Sequence, residues 1–247
     1  DGMYIHKADG SVIAVMLADI DSVVFYPPES MVTDIDGNVY NTVVIGTQTW
    51  LQENLKTTHF NDGSAIQLVT DNEQWENMTS GAYCWYDNDE ETYKDMYGAI
   101  YNGYAAVNDK LCPAGWHVPT ADDWETLETY LIDNGYNFDG STTGNKIAKA
   151  IGTGDFADND LEGTVGNDDY PEKINASGFT GKPSGGRRYW GAFAGKGAGT
   201  AWWSSTERNN DENDENVWSR GISYNGSNFG ESADIKNEGH PVRCLKD

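Results

Sequence analysis

The residues able to do chemistry in this chain are few and badly spaced for it. The histidines are His6, His59, His117 and His240, and none stands at a metal-ligand spacing such as His-x-x-x-His. His117 sits in a turn rich in Gly and Pro, where a structural hydrogen bond is the expectation. No Ser-His-acid arrangement can be read from the spacing. A Gly-x-Ser-x-Gly elbow and a phosphate-binding Gly-rich loop are both absent. Forty acidic residues leave room for a glycosidase carboxylate pair, but no motif places one. The three cysteines, Cys84, Cys112 and Cys244, leave one over whatever pairs. Buried reduced thiols and one oxidised pair with a free thiol both remain open on this count.

Two sets of residues could bind rather than react. The loop Asp87-Asn88-Asp89-Glu90-Glu91 is rich in oxygen ligands, and Asp87, Asp89 and Glu91 are its calcium candidates. Two similar stretches cover residues 155–169 and 211–215. None has EF-hand spacing, and solvated acidic loops are the alternative. The second set is aromatic and cationic: Arg187, Arg188, Tyr189, Trp190, Trp202 and Trp218, all in the loop-rich second half. The segment Ser184-Gly185-Gly186-Arg187-Arg188-Tyr189-Trp190-Gly191 puts two cations and two aromatics between glycines. Loops held by a rigid scaffold commonly carry recognition, and an exposed Trp beside Arg is a frequent energetic centre. The expectation is a ligand face centred on Arg188 and Trp190. The competing arrangement buries Trp190 and pairs both arginines with acids. For most other tryptophans, Trp203 among them, core packing is expected.

Composition bounds the rest. The chain has 247 residues and a net charge of −24, from 16 basic and 40 acidic side chains. Such a surface repels phosphate backbones and anionic membranes, so nucleic acid is a poor partner. Hydrophobic content is only 38%, but 9 Trp, 14 Tyr and 7 Phe bury large areas per residue, which argues for a folded core. No apolar run reaches the ~20 residues of a membrane span. The chain starts at Asp1 without an initiator Met, as a trimmed protein would, so a missing signal segment says nothing about secretion.

The elements that must position these residues are legible in places. Residues 1–30 read as a separate β-rich segment. Its strands are expected near Met3–Lys7, Val12–Leu17 and Asp19–Phe25, packed on the main domain because so small a piece cannot stand alone. Val39–Ile45 and Thr49–Leu51 form a hairpin about a Gly-containing turn, and Tyr83–Tyr86 a further strand. The clearest helix covers 121–134. Thr120 is its N-cap, acids fill its first turn, Trp124, Leu127 and Leu131 make one apolar face, and Gly135 follows its end. A weaker helix is expected over 145–151. After Gly152 the chain is loop-rich.

A set of motifs occurs in order: Asp36-Gly37-Asn38-Val39-Tyr40, Ile45-Gly46-Thr47-Gln48-Thr49-Trp50-Leu51-Gln52-Glu53-Asn54-Leu55, Leu111-Cys112-Pro113-Ala114-Gly115-Trp116-His117-Val118-Pro119-Thr120, Trp203-Ser204-Ser205-Thr206-Glu207 and Val242-Arg243-Cys244. In these the chain resembles the Fibrobacter succinogenes major paralogous domain family of Bacteroidetes and Fibrobacteres, from about Thr33 to Asp247. Residues 1–30 resemble a short segment that precedes various domains in Bacteroidetes lipoproteins.

The resemblance implies an α+β, C-type lectin-like domain over 31–247, related to the formylglycine-generating-enzyme fold. It also implies a disulfide between Cys112 and Cys244, with Cys84 a buried, inert thiol. The setting implied is extracellular or cell-envelope, lipid-anchored through a signal segment absent from these residues, without insertion of the folded domain into the membrane. The function expected is non-enzymatic recognition of a glycan or protein at the cell surface, with adhesion as its use. The alternative is a structural component of the envelope. An enzyme of the formylglycine-generating fold or a glycoside hydrolase ranks below both. No organic cofactor is expected, and calcium is the one ion suggested. The calcium-ligating Glu-Pro-Asn and Trp-Asn-Asp motifs of sugar-binding C-type lectins are missing.

Overall fold

The computed structural model describes residues 2–6, 12–16, 31–208 and 216–247. The chain forms two compact units, divided after Met31. The first contains an antiparallel pair, Gly2–His6 with Val12–Met16. The strand expected over Asp19–Phe25 lies outside the described residues, as do the side chains on which the packing of residues 1–30 would depend.

The second unit is α+β, with short strands dominating. One five-stranded sheet has the order Met31–Thr33, Val39–Ile45, Gln48–Leu51, Leu245–Lys246, Trp116–His117. The hairpin of the second and third strands turns at Gly46, whose φ is +63°. The last strand of the chain inserts between that hairpin and the strand that leads into the main helix. A six-stranded sheet runs Phe193–Lys196, Ser184–Arg187, Gly239–His240, Ile100–Asn102, Ala82–Cys84, Gln67–Leu68. A three-stranded meander, Gly199–Glu207, Asn216–Ser223 and Gly230–Ile235, completes the unit.

The main helix spans Ala121–Asp133. Its start is a full capping box: the Thr120 hydroxyl accepts from the Asp123 amide, and the Asp123 carboxylate accepts from the Thr120 amide. Trp124, Leu127 and Leu131 are its buried residues. Gly135 follows in the left-handed region at φ +75°. The weaker helix is shorter than expected, Ala148–Ile151. A helix that was not expected, Glu90–Tyr97, begins inside the acidic stretch.

The meander divides two apolar cores. Successive strand side chains point to opposite faces. Trp202 therefore joins Trp50, Trp124 and Phe179 under the main helix, while Trp203 joins Leu51, Tyr101 and Val242 on the other side. A disulfide joins Cys112 to Cys244 with Cα atoms 6.0 Å apart, and Cys84 is a buried free thiol. Burial pushes that thiol up to about 12.

Candidate ligand groove

Arg187 and Arg188 are neighbours in sequence and opposites in role. Arg187 ends a strand and points inward, fully buried. Its guanidinium donates to the carbonyls of Val69, Thr70, Asp71 and Gly191 and to Asn72 Oδ1. It also lies over the rings of Trp75 at 4.5 Å and Phe193 at 5.0 Å. Each of its three nitrogens donates within the protein, so Arg187 lines a cleft as a clamp with its hydrogen bonds committed inward. This corrects its expected role as a free cation for a ligand.

The clamp fixes the turn that follows. Arg188 N–H donates to the Ala192 carbonyl, and Gly191 N–H to the Arg188 carbonyl. Gly191 has φ +91°, and a Cβ there would stand 2.5 Å from Asn72, so the turn is pressed against residues 71–72. Only Arg188, Tyr189 and Trp190 are left outside. Tyr189 is 40% and Trp190 48% exposed, and their rings meet edge to face at 4.7 Å. The Arg188 side chain is about half exposed, 3.9 Å from the Glu238 carboxylate. Glu238 also accepts the Tyr189 N–H, while burial raises its pKa above the ordinary value.

Behind this turn lies that cleft, of about 200 Å³, lined by Arg187, Arg188, Glu238, His240, Thr200 and the glycines of the neighbouring strands. A shallower hollow of about 280 Å³ shares Arg188, Ala201 and His240 with it and extends to Ser219, Glu231, Ser232 and Asp234. Gly186 lets the strands close up here, since a Cβ would come 2.5 Å from the Gly239 carbonyl.

His240 and Asp234 are the polar centre of this groove. The His240 ring rests 4.6 Å from that of Trp203 and its Nε2 is 3.2 Å from Asp234 Oδ2. Ser219 Oγ donates to the same oxygen at 2.5 Å, and Ser232 Oγ to the other at 3.1 Å. Burial alone would raise Asp234; the hydrogen bonds and charge of His240, with the two serines, outweigh it and bring the carboxyl to about 2. Ser, Asp and His are thus together, but the aspartate sits between the other two. The serine donates to the carboxylate and not to the imidazole, so the order differs from the Ser-His-Asp relay, in which histidine lies between the two. The cluster presents fixed donors and acceptors.

Trp202 and Trp218 do not reach this groove. Trp202 is fully buried, its Nε1 donating to Asn54 Oδ1 at 2.8 Å. Trp218 alternates to the helix-facing side with Arg220, whose guanidinium is 2.7 Å from Glu128 of the main helix. Both tryptophans leave the binding set for the same reason: strand alternation turns them from the face that carries Ser219 and Asp234.

The calcium candidates are also dispersed. Asp89 is the N-cap of helix Glu90–Tyr97, accepting from the Thr92 amide, and Glu91 is an exposed acid in its first turn. Asp87 faces Lys196 at 3.7 Å. The capping pattern, Asp followed by two acids and then Tyr93 and Tyr97 four apart, was the available signal for this helix. Among the described residues no three acids, histidines or cysteines are gathered as metal ligands. The stretch 211–215 lies outside the described residues. His117 bonds Asp247 at 2.7 Å and Asp123 at 3.3 Å, tying the chain end to the helix start.

Sequence reasoning missed Ser219, Asp234, Glu238 and His240. They come from separate strands and share no local pattern. Comparison with known proteins finds a match between residues 43–246 and the sequence model of the Fibrobacter succinogenes major domain. No curated protein and no solved structure matches the chain.

Proposed function

This chain belongs to the Fibrobacter succinogenes major domain family, and on that footing we propose that it is a non-enzymatic recognition module that binds glycan through the groove beside Arg188 and Trp190. One observation carries the reading. The clamped turn exposes two aromatics, Tyr189 and Trp190, directly after Arg188, which lines a cleft together with Glu238 and His240. A sugar ring needs an apolar face to stack on and fixed polar groups for its hydroxyls. The turn offers the first and the groove the second, and the two meet at Arg188. A protein ligand would need a contact face of about 800 Å². The serine, aspartate and histidine in the groove lack the order a nucleophile requires, which favours binding over turnover.

The C-type lectin-like reading of the fold is supported by the single long helix, by the last strand returning beside the first hairpin, and by the disulfide that joins them. The same disulfide supports an extracellular or envelope location, since such bonds persist in oxidising compartments.

The test is a glycan array on the wild-type chain, followed by calorimetry on the strongest hit with Trp190→Ala and Arg188→Ala. Each substitution should weaken binding about tenfold or more while the far-ultraviolet spectrum is unchanged. Hits unaffected by either substitution would refute the assignment. A stable oligomer in solution that binds no glycan would favour the structural role instead.

A further inference from the structure

A second pocket, away from the residues of the groove, collects positive charge in a chain that has little. It measures about 150 Å³ and is lined by Gln52, Glu53, Asn54, Lys56, Lys94 and Asp95, with Met96–Gly98, Thr180, Lys182 and Arg243 closing it. Four of the chain's 16 basic residues therefore meet here with only two acids, although acids outnumber bases 40 to 16 overall.

The floor of the pocket is rigid. Arg243 is completely buried, and no carboxylate lies within ion-pair distance of it among the described residues. Its guanidinium donates to Asn54 Oδ1 and to the carbonyls of Leu51, Phe179 and Thr180. It also stacks on Phe179 at 4.5 Å. Asn54 in turn donates to the Tyr97 carbonyl at 2.8 Å and accepts from Trp202. Gly98 has φ +76°, and a Cβ there would collide with Asn54 and the Leu55 carbonyl at under 3 Å, so the wall is pressed onto the floor. Burial lowers the arginine to about 9, which leaves it charged at neutral pH.

The rim differs from the floor. Lys56 pairs with Asp95, whose side chain is 89% exposed, and Lys94 pairs with Glu90 across one helical turn. The carboxylate of each pair is exposed while the lysine is largely covered, so the pairing itself contributes little. Glu53 is held by the Asn41 amide and side chain. Lys182 is half-buried, and its ammonium has no partner among the described residues. An ammonium without a counter-ion stands out where acids outnumber bases 40 to 16.

We propose that this pocket is a binding site for a tetrahedral oxyanion, a sulfate or phosphate ester carried by a larger ligand. The geometry favours that shape over a carboxylate. Arg243 has committed its fork to protein acceptors, so bidentate pairing is not available. What remains is a buried positive charge below and lysine ammoniums at the rim. Ammoniums act as mobile point charges and suit an anion that accepts from several directions. Lys182 supplies the unpaired donor, and Lys56 can turn from the solvent-exposed Asp95.

Equilibrium dialysis with radiolabelled sulfate and phosphate, at fixed ionic strength in chloride, tests this on the intact chain. One anion per chain should bind, and Lys182→Gln should weaken it about tenfold, as expected when a charge-assisted hydrogen bond is lost. Lys246→Gln, at a lysine of the C-terminal strand that does not line the pocket, should leave binding unchanged. Sulfated oligosaccharides and vesicles containing a phosphomonoester lipid then separate the two sources. No saturable binding of either free anion, or binding equal in wild type and Lys182→Gln, overturns the proposal. Trp190→Ala should leave this site intact, which keeps its failure distinct from failure of the glycan groove.

Discussion

Breaking the Cys112–Cys244 bond is the most searching perturbation of this fold. The bridge spans 132 residues, and the chain-entropy expression for a loop of that length gives about 5 kcal/mol of stabilisation at 25 °C. That is a large part of the 5–15 kcal/mol typical of a native domain. Both sulfurs lie in the same buried cluster as Trp116, Val118 and Val242, so Cys112→Ala/Cys244→Ala adds a small packing loss. The assay is equilibrium unfolding in urea of the wild type, the double variant and Cys84→Ala, monitored by tryptophan fluorescence. The double variant should lose roughly 4–6 kcal/mol. Its m-value should rise, because the unbridged unfolded chain exposes more surface. Cys84→Ala isolates the packing contribution of one buried cysteine and should cost about 1 kcal/mol with m unchanged. A double variant that loses less than about 2 kcal/mol with the wild-type m-value would refute the reasoning. The bridge would then restrain neither the unfolded ensemble nor the junction of the last strand with the helix start.

Two further outcomes follow from buried charge. Arg187→Met leaves the carbonyls of Val69 and Gly191 and Asn72 Oδ1 without their donor, while Thr70 and Asp71 keep Asn88 and Trp75, and should cost about 3 kcal/mol or more in the same unfolding assay. Arg187→Lys should recover little of it, since one ammonium cannot replace a five-donor fork. Asp234 is depressed from 3.8 to about 2, so its contribution is present above pH 4 and is lost as pH falls from about 4 to about 2. That contribution amounts to about 2 kcal/mol. Asp234→Asn should therefore flatten the acid limb of a stability-versus-pH curve, and an unchanged limb would count against the His240–Asp234–Ser219 cluster.

The sequence by itself determined the local pieces of this protein. Thr120, Asp123 and the Trp124, Leu127 and Leu131 series specify a helix with its start and its buried face, because caps and a 3.6-residue period act within one segment. The hairpin about Gly46 is set in the same local way, and an ordered series of motifs marked the family. Tertiary structure decided everything that depends on strand phase and on distant neighbours. Arg187 and Arg188 read alike, yet one closes a clamp on residues 69–72 while the other faces the groove. Trp202 and Trp203 also read alike, and the meander sends them to opposite cores. Asp89 reads as a calcium ligand until the helix it caps is in place. The groove of Ser219, Asp234 and His240 and the pocket of Lys56, Lys182 and Arg243 gather residues from separate parts of the chain. Side-chain convergence across strands leaves no periodic trace in the sequence. Its physical cause is the pairing of strands far apart in the chain, which only the packed fold supplies.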